Sequence, residues 1–143
     1  MDAVARLLIG FRNHYGRAEP PDETFHSGVS KLIATPHAEY LLAAAPGSGE
    51  PAGVCQLRYR HSLWTAKEDC WLEDLYVLES ARRAGLGEAL VGLAIERARE
   101  RDCGRIELDV SQSNGGAWAL YERMGFSAEY KPPAPNVLMG LRL

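Results

Sequence analysis

The chain contains no apolar run approaching the roughly 18 residues that a membrane-spanning helix needs. Nothing near its start reads as an apolar stretch leading to a cleavage site, so neither a secretory signal nor a membrane partner is expected. It also lacks a CxxC pair. Cys55, Cys70 and Cys103 are an odd number and read as reduced, buried and structural, which points to a cytoplasmic protein. His14, His26, His37 and His61 are scattered and make no metal-ligand spacing with the cysteines, so no metal is expected. Finally, the chain has no excess of positive charge: 16 Lys and Arg stand against 19 Asp and Glu. The net −3 argues against a nucleic-acid partner, which usually meets a basic face, and suits a cationic substrate.

What is present is one ordinary domain over residues 1–143, with 46% hydrophobic residues and enough length to bury its own core. Val4, Leu7, Leu8 and Phe11 give Asp2–Tyr15 a helical spacing, and Asp22 caps a second expected helix running to Ala34. Strands are expected at Glu39–Ala45, Ala52–Arg60 and Asp69–Leu78, the last apolar on both faces toward its end and therefore central. Gly85–Arg101 is the clearest helix. Leu86, Leu90, Leu93 and Ala94 line its apolar face, and Gly104 stops it. A strand at Arg105–Val110, a helix at Asn114–Met124 closed by Gly125, and a strand at Val137–Leu143 complete an α/β pattern.

Two segments carry chemistry. Leu75-Tyr76-Val77 ends a strand, and Arg82-Arg83-Ala84-Gly85-Leu86-Gly87 turns into a helix. Glycines there let backbone N–H groups approach a bulky anion, and the helix adds its unpaired N–H groups and positive end. A pyrophosphate suits that geometry; the alternative is that Gly85 and Gly87 merely shape the turn. A nucleotide P-loop is excluded because no Gly-Lys-Ser/Thr follows, and the dinucleotide fingerprint fails because Leu90 stands where its third glycine belongs. Further on, Asn114 and Tyr121 are two helical turns apart and share one face, before Gly125-Phe126.

Taken together, Arg82-x-x-Gly85-x-Gly87 and Asn114-(x)6-Tyr121-(x)3-Gly125-Phe126 resemble the GNAT superfamily of acyl-CoA-dependent N-acyltransferases, over roughly residues 40 to 130. The resemblance implies a mixed, mostly antiparallel sheet flanked by helices, here with the family's first strand missing. It implies acetyl-CoA as co-substrate. Backbone groups of Leu75, Tyr76 and Val77 hold the pantetheine arm, and the turn from Arg82 through Arg83, Ala84, Gly85, Leu86, Gly87 and Glu88 cradles the pyrophosphate. Asn114 supports the coenzyme, and Tyr121 is the acid that protonates the departing thiolate. The plainer readings are an N-cap for Asn114 and a core aromatic for Tyr121.

Leu72-Glu73-Asp74-Leu75-Tyr76-Val77, preceded by Ser62-Leu63-Trp64, is similar to the spermidine/spermine acetyltransferase-like branch, in which the residue at Glu73 acts as base. Asp74 and Trp64 then belong to the acceptor side, with the helices of residues 2 to 34. A solvated strand edge is the bland reading of the two acids. Adjacent strand residues point to opposite faces, so Glu73 and Asp74 share a face only if the strand is bulged. A covalent cysteine route is disfavoured, since nothing near Cys70 in sequence activates a thiolate. The expected activity is direct acetyl transfer from acetyl-CoA to a primary amine of a small molecule. A protein or peptide acceptor, or a non-catalytic acetyl-CoA sensor, are the rivals. The apolar edge Tyr40–Ala45 and the strand Val137–Leu143 suggest a homodimer.

Overall fold

The computed structural model describes residues 1–128 and Leu141; the expected strand Val137–Leu143 otherwise lies outside the described residues. Two helices come first, α1 (Asp2–His14) and α2 (Asp22–Ile33). Strands β1 (Ala38–Ala44), β2 (Pro51–Ser62) and β3 (Lys67–Val77) follow, then a 3-10 turn at Glu79–Ala81 and helix α3 (Leu86–Glu100). Strand β4 (Arg105–Glu107) and helix α4 (Gly115–Arg123) complete the described elements. The strands lie in the order β1-β2-β3-β4, the first two pairings antiparallel and β3–β4 parallel. This is the expected mixed, mostly antiparallel sheet.

Strand alternation divides the core into two layers. On one face Val54 and Tyr76 meet Val4, Ala5, Leu7 and Leu8 of α1 and Val29 of α2. On the other, Leu41, Cys55, Leu57, Cys70 and Leu72 pack under Leu90, Val91, Ala94 and Ala98 of α3 and Tyr121 of α4. Arg12 ties the first two helices: its guanidinium meets the Asp22 carboxylate at 2.7 Å and stacks over Phe25.

Several expectations need correction. Asp22 does not cap α2; Pro21 holds that position, and the Asp22 carboxylate is taken by Arg12. In α3, Leu93 is 38% exposed and Val91 is buried in its place, because the buried stripe follows Leu86, Leu90, Val91, Ala94 and Ala98. Gly104 does not stop α3. The left-handed residue is Asp102, while Gly104 lets two segments touch: its N–H donates to the Glu68 carbonyl, and a Cβ there would lie 2.6 Å from Thr65. Cys55 and Cys70 are buried as expected, but Cys103 is only half-buried. Strand β4 stops at Glu107 rather than Val110, because β3 turns away from it just beyond Trp71.

That turn has a visible cause. Gln56 pairs with Asp74 and Leu57 with Leu72, so Glu73 is an extra residue on β3, a β-bulge. Bulges bend and twist the strand that carries them. Past Trp71 and Glu107 the two parallel strands therefore part, and a slot opens through the sheet.

Candidate active site

The slot widens into a cleft of about 1230 Å³. One wall is β3 with the loop after it, from Leu72 to Glu88. The other runs from Asp109 through Asn114 into α4, and the last turn of α1 closes the rim. The ladder tells which backbone groups of β3 face the opening. The N–H of Leu78 donates to the carbonyl of Ala52, so these two residues form a hydrogen-bonded pair. Antiparallel ladders alternate, which commits Tyr76 to Val54 and turns the N–H and C=O groups of Leu75 and Val77 toward the slot. The Val77 carbonyl already accepts from Arg82 Nε at 3.2 Å.

The loop that follows is shaped by backbone conformation. Arg83 (φ 64°) and Gly85 (φ 78°) are both left-handed, and Gly85 is the N-cap of α3. No side chain caps this helix, so its first-turn N–H groups are left for another acceptor. Arg82, Arg83, Gly85, Leu86, Gly87 and Glu88 all line the cleft, whereas Ala84 does not.

Across the slot, Asn114 caps α4 with its side-chain oxygen, which accepts from the Ala117 N–H at 3.2 Å. Tyr121 is 8% exposed, packs edge-on against Phe126 and reaches the cleft from the α4 side. Burial, followed by the charges of Cys55 and Asp109, pushes its phenol up to about 12, so it stays protonated at neutral pH.

The bulge sets the two acids. Tyr40, Gln56 and Asp74 form a row across the sheet on the α1 face, and the Glu73 carboxylate turns to that same face. There Glu73 accepts from Gln56 Nε2 at 2.7 Å and lies 3.6 Å from Arg58. Glu73 lines the cleft; Asp74 does not. Burial, then Glu73 and Asp109, push the Asp74 carboxyl up to about 6. Among the described residues, no group of three or more His, Cys, Asp and Glu is arranged to hold a metal ion.

Most of the site residues expected from sequence thus converge on one cleft. Trp64 does not. It is 99% exposed at the β2–β3 turn, and the strand from Lys67 to Glu73 carries the two apart by roughly 20 Å at about 3.3 Å per residue. Of the N-terminal helices only α1 contributes, through Phe11, His14 and Tyr15. The i, i+3, i+4 spacing of those three was readable as one helix face, but not where that face would point. Asp109, Ser111 and Ser113 also line the cleft, and no motif marked them.

Residues 3–126 match the model of the Acetyltransferase (GNAT) family. The chain belongs to that family. A Bacillus subtilis (strain 168) relative, provisionally named a ribosomal protein bS18-alanine N-acetyltransferase, is 30% identical over 71% of this chain and 62% of its own length. The aminoglycoside N(6')-acetyltransferase type 1 of Klebsiella aerogenes is 35% identical over 69% of this chain and 65% of its own. The chain therefore spans less than two thirds of either relative. A crystal structure of a probable acetyltransferase superposes with a TM-score of 0.84 at 27% identity, covering 99% of this chain and 93% of the other. No helix among the described residues is long and apolar enough to cross a membrane.

Proposed function

We propose that this GNAT chain transfers the acetyl group of acetyl-CoA directly to a primary amine of a small molecule. The observation that carries the reading is that one slot through the sheet joins Glu73, Tyr121 and the uncapped N-terminus of α3. The residues present fit the coenzyme. Leu75 and the N–H of Val77 offer open backbone groups in extended conformation for an amide-containing arm. The left-handed turn at Arg83 and Gly85 brings helix N–H groups to an anion with no Cβ at the N-cap.

Acetyl-CoA, when bound, supplies an acetyl group activated as a thioester. Glu73 accepts the proton that the acceptor nitrogen gives up as its bond to the acetyl carbon forms. The N–H of Leu75 or Val77 donates to the carbonyl oxygen as negative charge develops there. Tyr121 gives its phenol proton to the sulfur as the carbon–sulfur bond breaks, and its raised pKa keeps that proton available. Cys55 and Cys70 take no part: burial raises both thiols, Cys70 to about 12, so neither supplies a thiolate.

The exposed carboxylates Glu73 and Asp109 and the net charge of −3 favour a cationic acceptor. The test is thiol release from acetyl-CoA on a panel holding a polyamine, a lysine analogue, an aminoglycoside and an alanine-terminated peptide. Turnover on one of the small amines is the expected result. Turnover on the peptide alone would move the chain to the class named for the Bacillus relative, and coenzyme binding without release on any amine would make it a sensor.

A further inference from the structure

Strand β2 buries an apolar run, Ala52 to Leu57, that is interrupted by one polar side chain. Gln56 is 4% exposed, and among the described residues only Asp69 is a polar or charged side chain buried to the same degree. Asp69 is accounted for by the hairpin, where it accepts from Thr65 at 3.0 Å and faces Arg105. Burying an amide on a central strand is costly unless its hydrogen bonds are made. Gln56 spends its N–H on Glu73, at 2.7 Å.

Glu73 needs such a partner more than an ordinary strand residue does. As the extra residue of the bulge it has no cross-strand partner, so the ladder does not fix where its carboxylate points. Two groups reach it from β2. Arg58 is 44% exposed on its side chain and stands 3.6 Å away, a loose surface contact. Gln56 is held in register opposite Asp74 and packed into the sheet, so its amide is a rigid donor.

We propose that Gln56 is a positioning residue for acetyl transfer: from the neighbouring strand, on the same face of the sheet, it aims the Glu73 carboxylate into the cleft. This rests on the reading of Glu73 as the base. The test is Gln56→Met, which keeps the volume and removes the donor. The expected result is a fall in kcat of about 10- to 100-fold, as for a misplaced reacting group. The KM for acetyl-CoA stays within about twofold, because the coenzyme contacts lie elsewhere. The Tm changes little, since Met keeps the packing and the half-exposed Glu73 carboxylate regains water in place of the amide. In a Glu73→Gln background, Gln56→Met causes no further loss, because the two residues act as one unit.

Wild-type kcat in Gln56→Met, or a loss that persists undiminished in the Glu73→Gln background, overturns the proposal. If Glu73→Gln alone runs at the wild-type rate, the base reading fails instead. Should the Met variant not fold, Gln56→Asn carries the same test, since it keeps the amide but falls one methylene short of Glu73.

Discussion

Arg82 Nε donates to the carbonyl of Val77 at 3.2 Å, latching the loop before α3 onto the end of β3. Arg82→Ala frees the carbonyl and the loop together. A hydrogen bond to a charged group is worth about 1.5–3 kcal/mol, so acetyl-CoA affinity is expected to drop roughly tenfold or more. Calorimetric titration reads this directly, and unchanged affinity would show that the loop holds its shape without the latch.

Gly87 faces the cleft, and a Cβ there meets only Leu120 Cδ2, at 3.4 Å. A single carbon is tolerable; a branched one fills the approach to the first turn of α3. Gly87→Val is expected to stay folded, within about 1–2 kcal/mol of wild type, while losing most coenzyme affinity. Circular dichroism melts beside the titration separate the two effects.

The proposed acid and base can be tested separately by kinetics. Tyr121→Phe removes the proposed proton donor, needed only in the transition state, so turnover is expected to fall by about 10²–10⁴ with coenzyme affinity kept. Glu73→Gln is expected to slow turnover over the same range. Wild-type rates in both variants, on a substrate that the native protein turns over, would sink both assignments.

Asp74 gives a pH signature in stability. Below its ordinary value of 3.8 it is protonated in both folded and unfolded chains and contributes nothing. As pH rises toward 6, the unfolded chain ionises it while the folded protein resists, so stability is lost across that window. Asp74→Asn is expected to match wild type near pH 3 and to exceed it by about 1–3 kcal/mol at pH 8. Urea melts at both pH values check the sign; a gap of equal size at both would rule out the carboxyl as its source.

Among the described residues β1 is one edge of the sheet; α1 packs on β2 and β3, and α2 is the N-terminal helix that meets β1. Leu42 is 42% exposed on it. Pairing of two such edges gives a homodimer, and light scattering at micromolar concentration is expected to return twice 15.7 kDa. A monomer mass would show that the edge is left open in solution.

Much of this was legible in the chain. Two adjacent acids in an apolar strand required a bulge if both were to face one side, and the register contains it at Glu73. The Gly85 turn and the Asn114 cap announce their helices through local chemistry alone. What stayed hidden depends on partners distant in sequence. Gln56 reads locally as the polar half of an alternation, and its burial and its bond to Glu73 follow from cross-strand register. Helix spacing shows that Phe11, His14 and Tyr15 share a side, yet only packing against Tyr76 turns that side to the cleft.

The alternation along β3 also bears on which changes the chain can tolerate. Leu75 and Val77 present main-chain atoms to the slot, two residues and so roughly 6.6 Å apart. Those atoms are common to every residue except proline, whose nitrogen has no hydrogen to give. Side chains at these two positions are thus free to drift among shapes that suit the core, with the polar rungs above them unaltered. Proline at either one removes a rung while the other stays in place.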